Sequence, residues 1–69
     1  MVEVFKTNVQ KVREAKLVIQ RLKGCFPAYK INFDLKDCDK ILRVEGHDIP
    51  TCGIIDILKA GNYECILLE

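Results

Sequence analysis

Tyr29-Lys30-Ile31-Asn32-Phe33-Asp34-Leu35 alternates apolar and polar side chains without a break. A strand turns successive side chains to opposite faces, so Tyr29, Ile31, Phe33 and Leu35 share a buried face while Lys30, Asn32 and Asp34 share a wet one. Lys36-Asp37-Cys38-Asp39 follows as a polar turn. Lys40 to Glu45 then returns as a second strand, with Leu42 and Val44 facing in. Two alternating runs joined by so short a polar link predict an antiparallel hairpin. A hairpin buries only one face, so the flanking segments must cover it.

Upstream, Val2 to Lys6 reads as a strand, with Val2 and Val4 on one face and Glu3 and Phe5 on the other. Phe5 and Ile41 are expected on the open face of the sheet. Thr7-Asn8-Val9-Gln10 matches a capping box, in which a Thr side chain caps the first amides and a Gln reaches back. The helix that follows is expected to run to about Lys23. Val12, Ala15, Val18, Ile19 and Leu22 recur at three- and four-residue spacing and form its apolar stripe. Gly24 suits the helix end, and Pro27 prevents continuation.

Downstream, Gly46-His47-Asp48 is a loop, and Ile49-Pro50-Thr51 opens a second helix with proline where no amide partner is lost. Ile54, Ile55, Ile57 and Leu58 form its buried side. Gly61 is expected to end it in the left-handed conformation. Glu64 to Leu68 reads as a last strand. Strand, helix, two strands, helix, strand is the β-α-β-β-α-β order of the ferredoxin-like α+β fold. Right-handed crossovers put both helices on one face of a four-stranded antiparallel sheet, ordered β4-β1-β3-β2.

Sixty-nine residues make one domain, 1–69. A chain this short buries only about 60% of its unfolded surface, so nearly every apolar face is needed for the core. Apolar residues are 49% and charged residues 30%, a globular balance. The net charge of +1, the mixed signs and the absence of Trp argue against nucleic-acid binding. No apolar run approaches the roughly 18 residues of a membrane span. Met1-Val2-Glu3-Val4 reads as a strand and not as a secretion signal, so a cytoplasmic location is expected.

Cys25, Cys38, Cys52 and Cys65 fall one per segment, with no Cys-x-x-Cys pair, and free thiols are expected.

Ile31-Asn32-Phe33-Asp34-Leu35, Leu42-Arg43-Val44-Glu45-Gly46 and Ile54-Ile55-Asp56-Ile57-Leu58-Lys59-Ala60-Gly61-Asn62-Tyr63-Glu64 carry a resemblance across nearly the whole chain. In these stretches the sequence resembles the heavy-metal-associated domain family, the small copper chaperones and the repeats of metal-transporting ATPases. Asn62 is one residue more than the family's ending has. The family binds Cu(I) or a similar soft ion through M-T-C-x-x-C on the loop after the first strand, because two thiolates suit a soft ion. Here the ungapped stretch is Lys6-Thr7-Asn8-Val9-Gln10-Lys11, and Asn8 and Lys11 stand at the cysteine positions. A hard amide oxygen and a cation do not replace two thiolates. The resemblance therefore implies the scaffold without its metal loop, so no metal, no cofactor and no catalytic residue is expected. Non-enzymatic association with another protein, or weak homodimerisation, is the expected activity.

Two alternatives stay open. Antiparallel helices would bring Cys25 and Cys52 to one end of the domain, with His47 in the adjoining loop, as a relocated metal site. A ferredoxin-like dimer would hold a small regulatory ligand at its interface. Asp37-Cys38-Asp39 presents two carboxylates and a thiol, although aspartate is a common turn residue. Tyr63 matches a tyrosine that in some bacterial members lies near the metal loop; without thiolates it is expected to pack at the sheet end.

Overall fold

A computed structural model describes residues 1–36 and 40–68. The expected order is present: β1 (Val2–Thr7), α1 (Val12–Cys25), β2 (Lys30–Asp34), β3 (Ile41–Glu45), α2 (Thr51–Ala60) and β4 (Cys65–Leu68). The strands form one antiparallel sheet in the order β2-β3-β1-β4, the arrangement of the ferredoxin-like fold. β2 and β4 are its edges. Asp37, Cys38 and Asp39 lie outside the described residues, so the expected turn there is not described.

Registration sorts the side chains by face. Phe5 pairs with Leu42 and Leu67, Ile31 with Val44, and Thr7 with Cys65. These residues face the helices. Ala15, Val18 and Leu22 of α1 and Ile54 and Leu58 of α2 join them in a single core. Phe5, Leu22, Leu42, Ile54 and Leu58 are fully buried. Each contributes on the order of 1.5–3 kcal/mol by leaving water, which a domain of this size needs. The opposite face carries Val2, Val4 and Lys6 of β1, Lys30, Asn32 and Asp34 of β2, Ile41, Arg43 and Glu45 of β3, and Ile66 and Leu68 of β4.

Several sequence expectations change. Ile41 lies on the open face as expected, but Phe5 does not: it is the centre of the core, and Val4 takes the open side. Both faces of β1 carry apolar residues, so alternation alone could not fix its phase. α1 begins at Val12, not near Thr7, and ends at Cys25, so Cys25 is its last residue and not a residue after it. Val12, expected in the apolar stripe, is 61% exposed at the first turn. Gly61 closes α2 at φ −89°, and the left-handed residue is Asn62 at φ 67°, a conformation that Asn tolerates better than most side chains. The added residue thus makes the turn expected of the glycine.

Candidate functional site

The loop between β1 and α1, residues 8 to 11, carries Asn8 and Lys11, the two positions singled out by the family resemblance. Val9 between them is fully buried and pins the loop to the core. Thr7 does not cap the helix. It is the last residue of β1, and its buried hydroxyl donates to the Lys40 carbonyl at 2.6 Å and accepts from the Val9 amide at 3.3 Å. This ties the end of β1 to the start of β3.

Asn8 reaches the other way. Its Oδ1 accepts from the Glu64 amide, just before β4, at 2.9 Å. An oxygen already engaged with a backbone amide is a poor candidate ligand, and an exposed lysine at position 11 adds a positive charge. Glu14, three residues past Lys11, completes the arrangement. Its Oε1 accepts from the Lys11 amide at 3.3 Å, satisfying a donor that the helix start leaves open. Lysine has no acceptor to return, so only the acidic half of a capping box forms. Glu14 Oε2 accepts from the Tyr63 hydroxyl at 3.0 Å.

Tyr63 therefore lies at the same end as the loop, its ring over Gly61 and its hydroxyl on the first turn of α1. Removal from water comes first among the causes that raise its pKa, followed by its hydrogen bond to the Glu14 carboxylate and the charge of that carboxylate. The stretch that aligns with the resembling family's metal loop is here a set of hydrogen bonds among the β1–α1 loop, α1 and the turn before β4. Chemically it can hold those elements together. It offers no thiol pair.

The other candidates do not assemble. Cys25 at the end of α1, His47 in the β3–α2 loop and Cys52 in the first turn of α2 are all exposed. Among the described residues no group of three or more His, Cys, Asp and Glu side chains is placed to hold a metal ion, so the Cys25–His47–Cys52 site is not formed. What this end does contain is a tyrosine clasp: the Tyr29 hydroxyl lies 2.8 Å from the His47 carbonyl and 3.0 Å from that of Asp48, donating its one proton between them. His47 takes part through its backbone, not its imidazole. Cys65 is a buried free thiol facing the core, with its pKa raised to about 11 chiefly by burial. Cys38 lies outside the described residues.

Sequence reasoning missed Glu14 and the Asn8–Glu64 link. The signal for Glu14 was an acid three residues past a helix start, but the start itself was placed four residues early. Nothing local marks the Asn8 contact, which joins residues 56 apart in sequence.

The remaining feature is a surface. Val2, Ile66 and Leu68 are exposed on the open sheet face, beside half-buried Val4 and Ile41. β2 and β4 present free edges. No helix among the described residues is long and apolar enough to cross a membrane. The chain matches no protein-family model, no curated protein and no solved structure.

Proposed function

We propose that this domain acts by non-covalent association with protein, as a regulatory or interaction module on a scaffold like that of the heavy-metal-associated domains, and that it neither catalyses a reaction nor carries a soft metal ion. The observation that carries the reading is the engaged state of Asn8. Where the resembling family offers a thiolate, this chain uses an amide oxygen to bond the Glu64 backbone. Soft ions prefer sulfur by a wide margin, and a lone lysine beside the amide opposes a cation. An exposed apolar strip of Val2, Ile66 and Leu68 on the open face, next to unpaired strand edges, is the kind of surface that other proteins cover.

The decisive experiment is an anaerobic titration of the reduced chain with Cu(I) against a competing chelator. The chelator is expected to keep the copper at every ratio. A tight one-to-one complex, lost on Cys25→Ser or Cys52→Ser, overturns the reading in favour of a metal protein with relocated ligands.

A further inference from the structure

We infer that two copies of this chain pair through their β2 edges, antiparallel about a two-fold axis at Asn32, to make one continuous eight-stranded sheet. The inference rests on the interaction-module reading above and names the partner.

Register selects the pairing. β2 has five residues, Lys30–Asp34, with Ile31 and Phe33 toward the helices and Lys30, Asn32 and Asp34 toward the open face. Antiparallel pairing matches residues on the same face, so only in-phase registers keep apolar groups together. Of these, one alone uses the whole strand: Asn32 opposite its own copy. It sets Lys30 opposite Asp34 of the mate and Asp34 opposite Lys30 of the mate, both on the open face. It also sets Ile31 opposite Phe33 of the mate, on the helix face. Shifting by one in-phase step loses the ion pairs, and a two-step shift puts lysine against lysine or aspartate against aspartate. Opposite charges directly across a sheet stabilise, and like charges destabilise.

The neighbours agree. Within its own chain Lys30 lies across from Glu45, so the mate's Asp34 gives it a second anion. Asp34 lies across from Ile41, which brings no charge, and the mate's Lys30 supplies one. On the helix face a mostly apolar groove runs along the same edge between α1 and β2, lined by Val12, Ile19, Phe33 and Leu35 with Lys16 and Lys36 beside them. The mate's Ile31 and Phe33 extend its floor, beside the exposed Val12. The other edge is unsuited to this. The described residues of β4, Cys65–Leu68, carry no charged side chain, so that edge offers no opposite charges to match across an axis.

The test is sedimentation equilibrium of the full chain in reducing, low-salt buffer, from about 10 μM to about 1 mM. A concentration-dependent dimer is expected. Lys30→Asp alone and Asp34→Lys alone each place like charges across the axis twice, and each should weaken the dimer about tenfold or more. The double variant Lys30→Asp/Asp34→Lys restores opposite charges and should restore the native dimer. Asp56→Lys on α2, an exposed charge reversal away from the β2 edge, should leave it unchanged. Circular dichroism shows which variants fold. A native chain monomeric throughout overturns the inference, as does a dimer indifferent to the single reversals or one abolished by Asp56→Lys. A monomeric chain that also leaves copper to the chelator sinks self-pairing alone; a stoichiometric copper complex sinks the parent reading, whatever the dimer does.

Discussion

The side-chain oxygen of Asn8 lies 2.9 Å from the amide nitrogen of Glu64 and accepts its proton, joining the loop after β1 to the residue before β4. The bond is exposed, so water competes for both partners. Replacing Asn8 by alanine should cost about 1 kcal/mol, the net worth of an ordinary hydrogen bond. For a domain of this size that lowers the melting temperature by about 4–8 °C. Differential scanning calorimetry of Asn8→Ala measures it. An unchanged melting temperature would mean that the burial of Val9 and the bonds to Thr7 and Glu14 hold the loop without it.

Tyr63 and Glu14 give a pH signature. The Tyr63 pKa is raised from 10.0, first by removal from water, then by the bond to Glu14 and its negative charge. A group whose folded pKa lies above its unfolded value contributes stability below the unfolded pKa and loses it as pH rises through the folded one. The contribution is therefore intact at neutral pH and disappears above pH 10. The chain has two tyrosines, so in a Tyr29→Phe background phenolate absorbance follows Tyr63 alone. Its midpoint should lie above 10. Glu14→Gln in that background should bring it part of the way back, because the effect of burial remains.

Cysteine reactivity should divide by position. Cys25 and Cys52 are exposed, while Cys65 is buried with its thiol pushed up to about 11. The thiolate is the reactive form, so both access and ionisation protect Cys65. In a Cys38→Ser variant, an aromatic disulfide reagent at pH 8 should modify two thiols promptly and the third only after denaturant is added. The raised pKa also means that burial of Cys65 favours the fold below pH 9 and ceases to do so as pH passes 11. Three thiols reacting at one rate would contradict the buried position.

Gly46 is where the Tyr29 ring packs against bare backbone. A Cβ there would overlap the ring at Cδ1 and Cε1. The ring cannot simply swing aside, since its hydroxyl is held by the His47 and Asp48 carbonyls and its face stacks on Phe26 at 5.5 Å. Gly46→Ala should therefore destabilise by about 1–3 kcal/mol, as overpacking does. In a Tyr29→Ala background, which has its own cost, Gly46→Ala should cost less, since the clash is gone. Chemical denaturation of the single and double variants decides.

The hairpin was legible because Ile31, Phe33, Leu42 and Val44 keep strict alternation on a sheet with one wet face, and helix periodicity located both helices to within a few residues. Phe5 was not, because Val2, Val4 and Phe5 put apolar groups on both faces of β1, and only pairing with Leu42 reveals which side is dry. The helix start was misplaced because Thr7 is a good cap by type but is spent on Lys40, across the sheet. The candidate site was legible only as a pair of positions. The resemblance sets Asn8 and Lys11 at positions where that family carries thiols, but that Asn8 bonds Glu64 and Glu14 bonds Tyr63 depends on contacts 56 and 49 residues apart. No periodicity encodes such contacts.

If the scaffold is that of the soft-metal domains, placing two thiols at those positions should supply the chemistry. Asn8→Cys with Lys11→Cys places a Cys-x-x-Cys pair on the loop, its second member at the residue capping α1. The helix start lowers thiol pKa and favours the thiolates that bind Cu(I). The double variant gives up the Glu64 bond, at a cost of about 1 kcal/mol, and loses a positive charge that opposes the ion. It should remain folded and hold one Cu(I) per chain against a chelator that strips the native protein bare. Glu14 and Tyr63 stay in place, so the helix start keeps its acidic half-cap. A folded double variant that holds no more copper than the native chain would show that this loop lacks the geometry of the family it resembles.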